Sequence, residues 1–128
     1  MLAWVYGDEI TENIRLVFDQ IGQSGGWVRG LWRLEVANVL EAGVRRGRHD
    51  AGFRDSTLAD LALLPIQTDP ETDRHAWGAT AQLAERHHLT LCGAAYLELA
   101  LRRELPLATL DRDLRTAASS ESVRWLGV

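Results

Sequence analysis

The sequence predicts one α/β domain, residues 1–128, built on a parallel sheet with helices over both of its faces. Three observations lead there. Short β-type runs alternate with stretches whose apolar residues recur every 3.6 positions, the order of a parallel βα chain. The run Pro106-Leu107-Ala108-Thr109-Leu110 is nearly all apolar, as in a strand covered on both sides. The chain has 128 residues, 46% hydrophobic and 25% charged, which suits a single soluble domain.

The elements follow in order. Asp8 can cap a first long helix, with Ile10, Ile14, Val17, Phe18 and Ile21 on one stripe. Gly22-Gln23-Ser24-Gly25-Gly26 ends it. Trp27-Val28-Arg29 reads as a short strand. Leu31 to Arg46 reads as a helix with Leu34, Ala37, Leu40 and Val44 on one face, closed by Gly47. Asp50 to Leu63 is the next helix, with Phe53, Leu58, Leu61 and Ala62 apolar. Leu64-Pro65-Ile66-Gln67 is a strand candidate whose proline belongs at a strand start or an edge. Asp69-Pro70 gives an N-cap and a first-turn proline to a helix carrying Trp77, Ala81, Ala84 and His88 on one stripe. After the extended link Leu89-Thr90-Leu91, Ala94 to Arg103 is a compact apolar helix. Then come the strand at Pro106–Leu110, a short helix from Asp111 to Ala118, and a last strand at Val123-Arg124-Trp125-Leu126. The chain opens on a helix-like segment with no strand before it. In parallel α/β proteins the first strand commonly lies mid-sheet. The expectation is therefore a sheet whose first, central strand is missing from this chain.

Composition narrows the function classes. Cys92 is the only cysteine, which excludes an intrachain disulfide and a multi-cysteine zinc site. No apolar run is long enough to cross a bilayer, and Met1-Leu2-Ala3-Trp4 has no basic segment of a signal peptide, so a cytoplasmic protein is expected. The formal net charge of −4 argues against a general nucleic-acid coat protein. It does not argue against a metal-dependent nuclease, whose pocket is itself acidic. All 14 basic residues are arginine, which suits carboxylate or phosphate recognition and equally a GC-rich coding sequence.

In an open parallel sheet, ligands bind beyond the carboxyl ends of the strands. Glu35 and Asn38 follow the first strand candidate and share a helix face. Asp111 directly follows the strand at Pro106–Leu110, and Asp113 lies close by. Glu35 and Asp111 can thus converge at one sheet edge, and clustered carboxylates suit Mg²⁺ or Mn²⁺, which take oxygen ligands. Purely structural roles are also open to them. Asp111 is a natural helix N-cap, and Glu35 lies where the helix dipole favours an acid.

These residues carry a family resemblance. Leu31-Trp32-Arg33-Leu34-Glu35-Val36-Ala37-Asn38-Val39-Leu40 resembles the segment around the second acidic position of PIN domains. Leu89-Thr90-Leu91-Cys92-Gly93-Ala94-Ala95-Tyr96-Leu97-Glu98-Leu99-Ala100 resembles the third, and Pro106-Leu107-Ala108-Thr109-Leu110-Asp111-Arg112-Asp113-Leu114 the fourth. Leu2-Ala3-Trp4 resembles the start of the family's first helix. The match runs along the whole chain and is nearest to the VapC-type toxins of toxin–antitoxin pairs. It implies an RNase H-like three-layer α/β/α fold, Mg²⁺-dependent endoribonuclease activity, a homodimer, and a VapB-type antitoxin as partner. Residue by residue it implies Glu35 and Asp111 as catalytic metal ligands, with Asn38, Thr109 and Asp113 in support.

The departures are specific. The family's first acidic residue ends a strand that would precede Leu2. Its third is an aspartate where this chain has Gly93, beside Cys92 where an aromatic is usual. The expectation is a weakened ion site and impaired RNA cleavage. The alternative is a VapC-like module that binds an antitoxin or an active relative without cleaving RNA. The remaining features have plainer readings. Arg45-Arg46-Gly47-Arg48 is either an RNA-phosphate grip or a helix end complemented by cations. His49, His75, His87 and His88 lack zinc spacing. Trp4, Trp27, Trp32, Trp77 and Trp125 are spread over separate elements, as core and dimer packing would have them. Cys92 reads as a small core or pocket residue, and Glu98 as a surface or dimer-interface residue.

Overall fold

The computed structural model describes residues 12–126, so Asp8, Ile10, Trp4 and Leu2-Ala3-Trp4 lie outside the described residues. The elements are α1 (Glu12–Ser24), β1 (Gly26–Val28), α2 (Trp32–Arg45), α3 (Ala51–Ala62), β2 (Ile66–Thr68), α4 (Thr72–His75), α5 (Ala79–His87), α6 (Leu91–Arg103), β3 (Leu107–Ala108), α7 (Arg112–Ser120) and β4 (Trp125–Leu126). The class is mixed α/β with parallel pairing, as the sequence pattern predicts. The described strands form two parallel pairs, β1 with β2 and β3 with β4, rather than one sheet. Gly26 pairs with Ile66 and Val28 with Thr68, while Leu107 pairs with Trp125 and Ala108 with Leu126.

Local chemistry explains most boundaries. Gly25 has φ +80°, and a Cβ there would stand 3.0 Å from the Pro65 carbonyl oxygen, so only glycine lets α1 turn into β1 at this distance. Pro65 precedes β2, and its carbonyl accepts the Gly26 N–H at 3.0 Å. Helix α2 ends in a Schellman turn. Gly47, at φ +74°, donates to the Val44 carbonyl at 3.1 Å and Arg48 donates to that of Gly43 at 2.9 Å. Asp50 caps α3 by accepting the Phe53 N–H at 2.8 Å.

Three expectations about helix faces change. The buried stripe of α2 is Trp32, Val36, Leu40 and Gly43, rotated from the expected Leu34-Ala37-Leu40-Val44 face, and Leu34 is exposed. Both stripes have helical spacing, and the one that buries a tryptophan ring removes more apolar surface from water. On α3 the inward residues are Thr57 and Leu61, while Phe53 and Ala62 face outward. The single helix expected after Asp69-Pro70 is two helices, α4 and α5, broken at Ala76–Gly78, and Trp77 in the break is 97% exposed rather than packed.

Two apolar clusters make the core. One joins Trp32, Val36, Leu40 and Leu61 under β1 and β2. The other joins Leu83, Ala94, Leu97, Ala100, Leu107, Leu114, Ala117 and Ala118 around α6. Tyr96, on α6, packs against both. Burial pushes its phenol pKa upward, against a smaller opposing pull from Arg29.

Asp69 ties α6 to the end of β2. Its N–H extends the β1–β2 ladder to the Val28 carbonyl at 2.8 Å. Its fully buried carboxylate accepts from Arg102 at 2.6 and 3.1 Å, from Arg103 at 3.1 Å and from the Thr72 hydroxyl at 2.9 Å. Arg102 also grips Glu98 at 2.8 Å, and the Arg103 guanidinium lies 3.5 Å over the Trp27 ring. The hydrogen bond from Arg102 holds the Asp69 carboxyl well below the usual carboxylate range, and Asp69 in turn raises Arg102. Asp69→Ala is therefore expected to destabilise the fold by about 3 kcal/mol or more in urea denaturation, because two guanidiniums lose their buried partner. A depressed folded-state pKa gives stability that is complete above about pH 4 and drains away as pH falls toward the folded value. In acid titrations followed by circular dichroism, Asp69→Asn should lose that part of the slope.

Candidate functional site

The carboxyl ends of β1, β2 and β3 carry polar side chains where an open parallel sheet presents its ligand crevice. Asp69, after β2, is buried and consumed by Arg102 and Arg103. The residues after β1 and β3 form two separate groups.

The first group centres on Arg29, one residue beyond β1. Its guanidinium pairs with the Glu35 carboxylate through Nη2 and donates through Nη1 to the Cys92 carbonyl. It also lies 4.7 Å over the Tyr96 ring, a cation–π contact. The Arg29 side chain is 11% exposed and that of Glu35 36%. Glu35 Oε1 is buried and, among the described residues, without a hydrogen-bond partner. Glu35 also stands in the first turn of α2, where the helix dipole favours an acid.

Arg29 thus brings the α2 segment of Glu35 to the α6 segment of Cys92 and Gly93. Helix α6 starts earlier than the apolar pattern from Ala94 suggests. Thr90 is its N-cap, and its hydroxyl accepts the Gly93 N–H at 3.0 Å. Gly93 is consequently the third helical residue. A Cβ built on it meets only Thr90 Oγ1, at 3.2 Å.

The second group stands at the end of β3. Asp111 is exposed and caps α7, its Oδ1 accepting from Asp113 N at 2.9 Å and Leu114 N at 3.4 Å. Its own N–H donates to the buried Thr109 hydroxyl at 3.0 Å. Asp113 is exposed in the first turn of α7, and Asn38 is exposed one turn beyond Glu35. The structural role foreseen for Asp111 is therefore present, and it occupies one of the two carboxylate oxygens.

Among the described residues, no hydrogen bond or ion pair joins the Glu35 group to the Asp111 group. No three of His, Cys, Asp and Glu gather closely enough there to hold a metal ion. Each group on its own offers one hard oxygen donor of the kind a hydrated divalent ion takes. Glu35 Oε1 and Asp111 Oδ2 each remain outside the bonds described, and Mg²⁺ commonly takes only one or two carboxylates and keeps its waters.

Other sequence candidates have protein partners of their own. Arg45 pairs with Glu41 at 3.7 Å beside the Schellman turn. His49 sits against Gly43 with Nε2 2.8 Å from the Leu40 carbonyl, His75 is 3.8 Å from Glu98, and His87 is 3.7 Å from Glu121. Glu98 is buried and salt-bridged to Arg102, not a surface or interface residue. An open depression of about 460 Å³ includes Glu98, Arg102, Arg86 and Glu121 in its lining, but these charges already pair with each other at 2.8 and 2.5 Å. Cys92 is exposed rather than in the core. Sequence reading missed Arg29, Tyr96 and Asp69. The available signal for Arg29 was its place immediately after a strand, at the end where ligands bind.

Gly93→Asp is expected to leave the fold intact, with a stability change within about 1 kcal/mol in thermal melts. Thr90 Oγ1 must give by a few tenths of an ångström, while glycine's poor helix propensity is removed and the dipole favours an acid. Thr90→Ala should cost about 1 kcal/mol in the same assay through loss of the cap. Compared with known proteins, the sequence matches no protein-family model and no curated protein.

Proposed function

We propose that this chain is a PIN-like module of the VapC type, a Mg²⁺-dependent endoribonuclease whose cleavage centre is impaired. The observation that carries this reading is the meeting of Glu35 with the Cys92–Gly93 turn at Arg29, beyond the carboxyl end of a parallel strand. Segments distant in sequence converge where the resemblance implies acidic residues. The parallel pairing of both strand pairs, with helices in every connection, is in keeping with the parallel α/β sheet that the resemblance implies.

On this reading Glu35 and Asp111 hold the ion. A bound Mg²⁺ or Mn²⁺ supplies an activated water and stabilises charge growing on the phosphodiester. Thr109 orients Asp111 through its backbone N–H, and Asn38 and Asp113 add polar groups at the rim. Gly93 supplies no ligand, and Arg29 already engages Glu35, so cleavage is slow.

A second reading has its own support. A VapC-like module that binds a VapB-type antitoxin, or dimerises with an active relative, needs an apolar surface rather than an ion site. Leu31, Leu34 and Leu91 are 58%, 67% and 57% exposed on the same segments as Glu35 and Cys92.

Cleavage of structured RNA with and without Mg²⁺ tests the proposal. The native chain is expected to cleave slowly, and Glu35→Gln and Asp111→Asn to abolish the residual rate. The asparagine keeps the α7 cap, so its loss of rate is not a folding defect. Gly93→Asp should raise the rate about 10- to 100-fold. Cleavage that ignores Mg²⁺ and all three substitutions, or is absent even in Gly93→Asp, overturns the nuclease reading.

A further inference from the structure

We infer that Arg29 is a resident counter-ion of the site, an internal cation that competes with a divalent metal ion for Glu35. The inference rests on the proposed function only in taking the competitor to be the ion of that nuclease centre.

The charge balance points this way. Arg29 is largely removed from water and meets Glu35 as its acid partner, so one positive and one negative charge neutralise each other. The guanidinium's other contacts, the Cys92 carbonyl and the Tyr96 ring, are neutral acceptors that hold it in place without adding negative charge. A divalent ion at Glu35 Oε1 would then stand beside a fixed like charge, and within the Arg29 group no second carboxylate offsets it, which leaves only Asp111 of the separate group to do so. Gly93 and Arg29 therefore act together. With an acid at 93 the cluster would carry one excess negative charge, whereas with glycine it is already neutral.

The contact is also local in sequence. Arg29 lies one residue past β1, and Glu35 is in the first turn of α2, so a substitution at either position probes the pair without changing a distant element. The same guanidinium ties the N-terminal turn of α6 to α2, so the contact has a packing role independent of any ion.

Calorimetric titration of the purified protein with Mn²⁺ alone tests the inference without RNA. The native chain is expected to bind weakly, and Arg29→Met to bind Mn²⁺ about tenfold tighter or more. The gain should vanish in the Arg29→Met/Glu35→Gln double variant. Arg29→Lys keeps the charge but loses the two-pronged geometry, so a smaller gain is expected. It decides the matter if Arg29→Met fails to melt cooperatively. No gain in either folded variant, or a gain that survives Glu35→Gln, overturns the inference. The two proposals fail separately. Tighter Mn²⁺ binding without RNA cleavage in any variant sinks the nuclease reading alone. Mg²⁺-dependent cleavage by the native chain with no gain on removing Arg29 sinks this one alone.

Discussion

The buried carboxylate of Asp69 is the fixed point of the described structure. It follows β2, extends the β1–β2 ladder through its own N–H, and receives Arg102 and Arg103 from the last turn of α6. A charge so fully withdrawn from water is tolerable only with such partners. The consequence is positional. The C-terminal end of α6 is held against the ends of β1 and β2, with the Arg103 guanidinium over Trp27 and the Thr72 hydroxyl bridging Asp69 to the Gly30 N–H.

Arg29 does at the other end of α6 what Asp69 does at the first. It holds the Cys92 carbonyl and Glu35 in one contact, over the ring of Tyr96. Because Tyr96 belongs to both apolar clusters, α6 links the two halves of the core as well as the two charged ends. The two contacts differ in what they leave over. At Asp69 both carboxylate oxygens are engaged, so the group is structural. At Glu35 one buried oxygen has no hydrogen-bond partner among the described residues, and such a group is where binding chemistry or an ion is to be sought. The proposed function and the proposed role of Arg29 both start from that oxygen.

Much of the fold was legible from local rules. Gly47 ends α2, Asp50 caps α3, Asp111 caps α7, and the short runs at Trp27, Ile66, Leu107 and Trp125 are strands, each close to the span its pattern suggests. Gly, Asp and β-type runs act through backbone geometry within a few residues, so sequence alone exposes them. Less legible was which of two helical stripes on α2 turns inward. Leu34 and Trp32 both belong to regular stripes, and the choice depends on what the neighbouring element offers to bury. Trp77 was misplaced for a related reason, because the helix expected to carry it breaks at Gly78.

For the candidate site the division is sharper. Sequence by itself determined the residue types and their places, with Glu35 one turn into a helix, Asp111 at the start of a helix that follows a strand, and glycine rather than an acid at 93. It also determined that Asp111 can cap, since capping needs only the next few backbone N–H groups. Tertiary structure alone decided that Glu35 is partnered by Arg29 and that Asp69 serves α6 instead of starting its own helix. Each of those depends on side chains reaching across from another element. Electrostatic pairing acts through space at a few ångströms, and sequence separation carries no record of which charges will come that close.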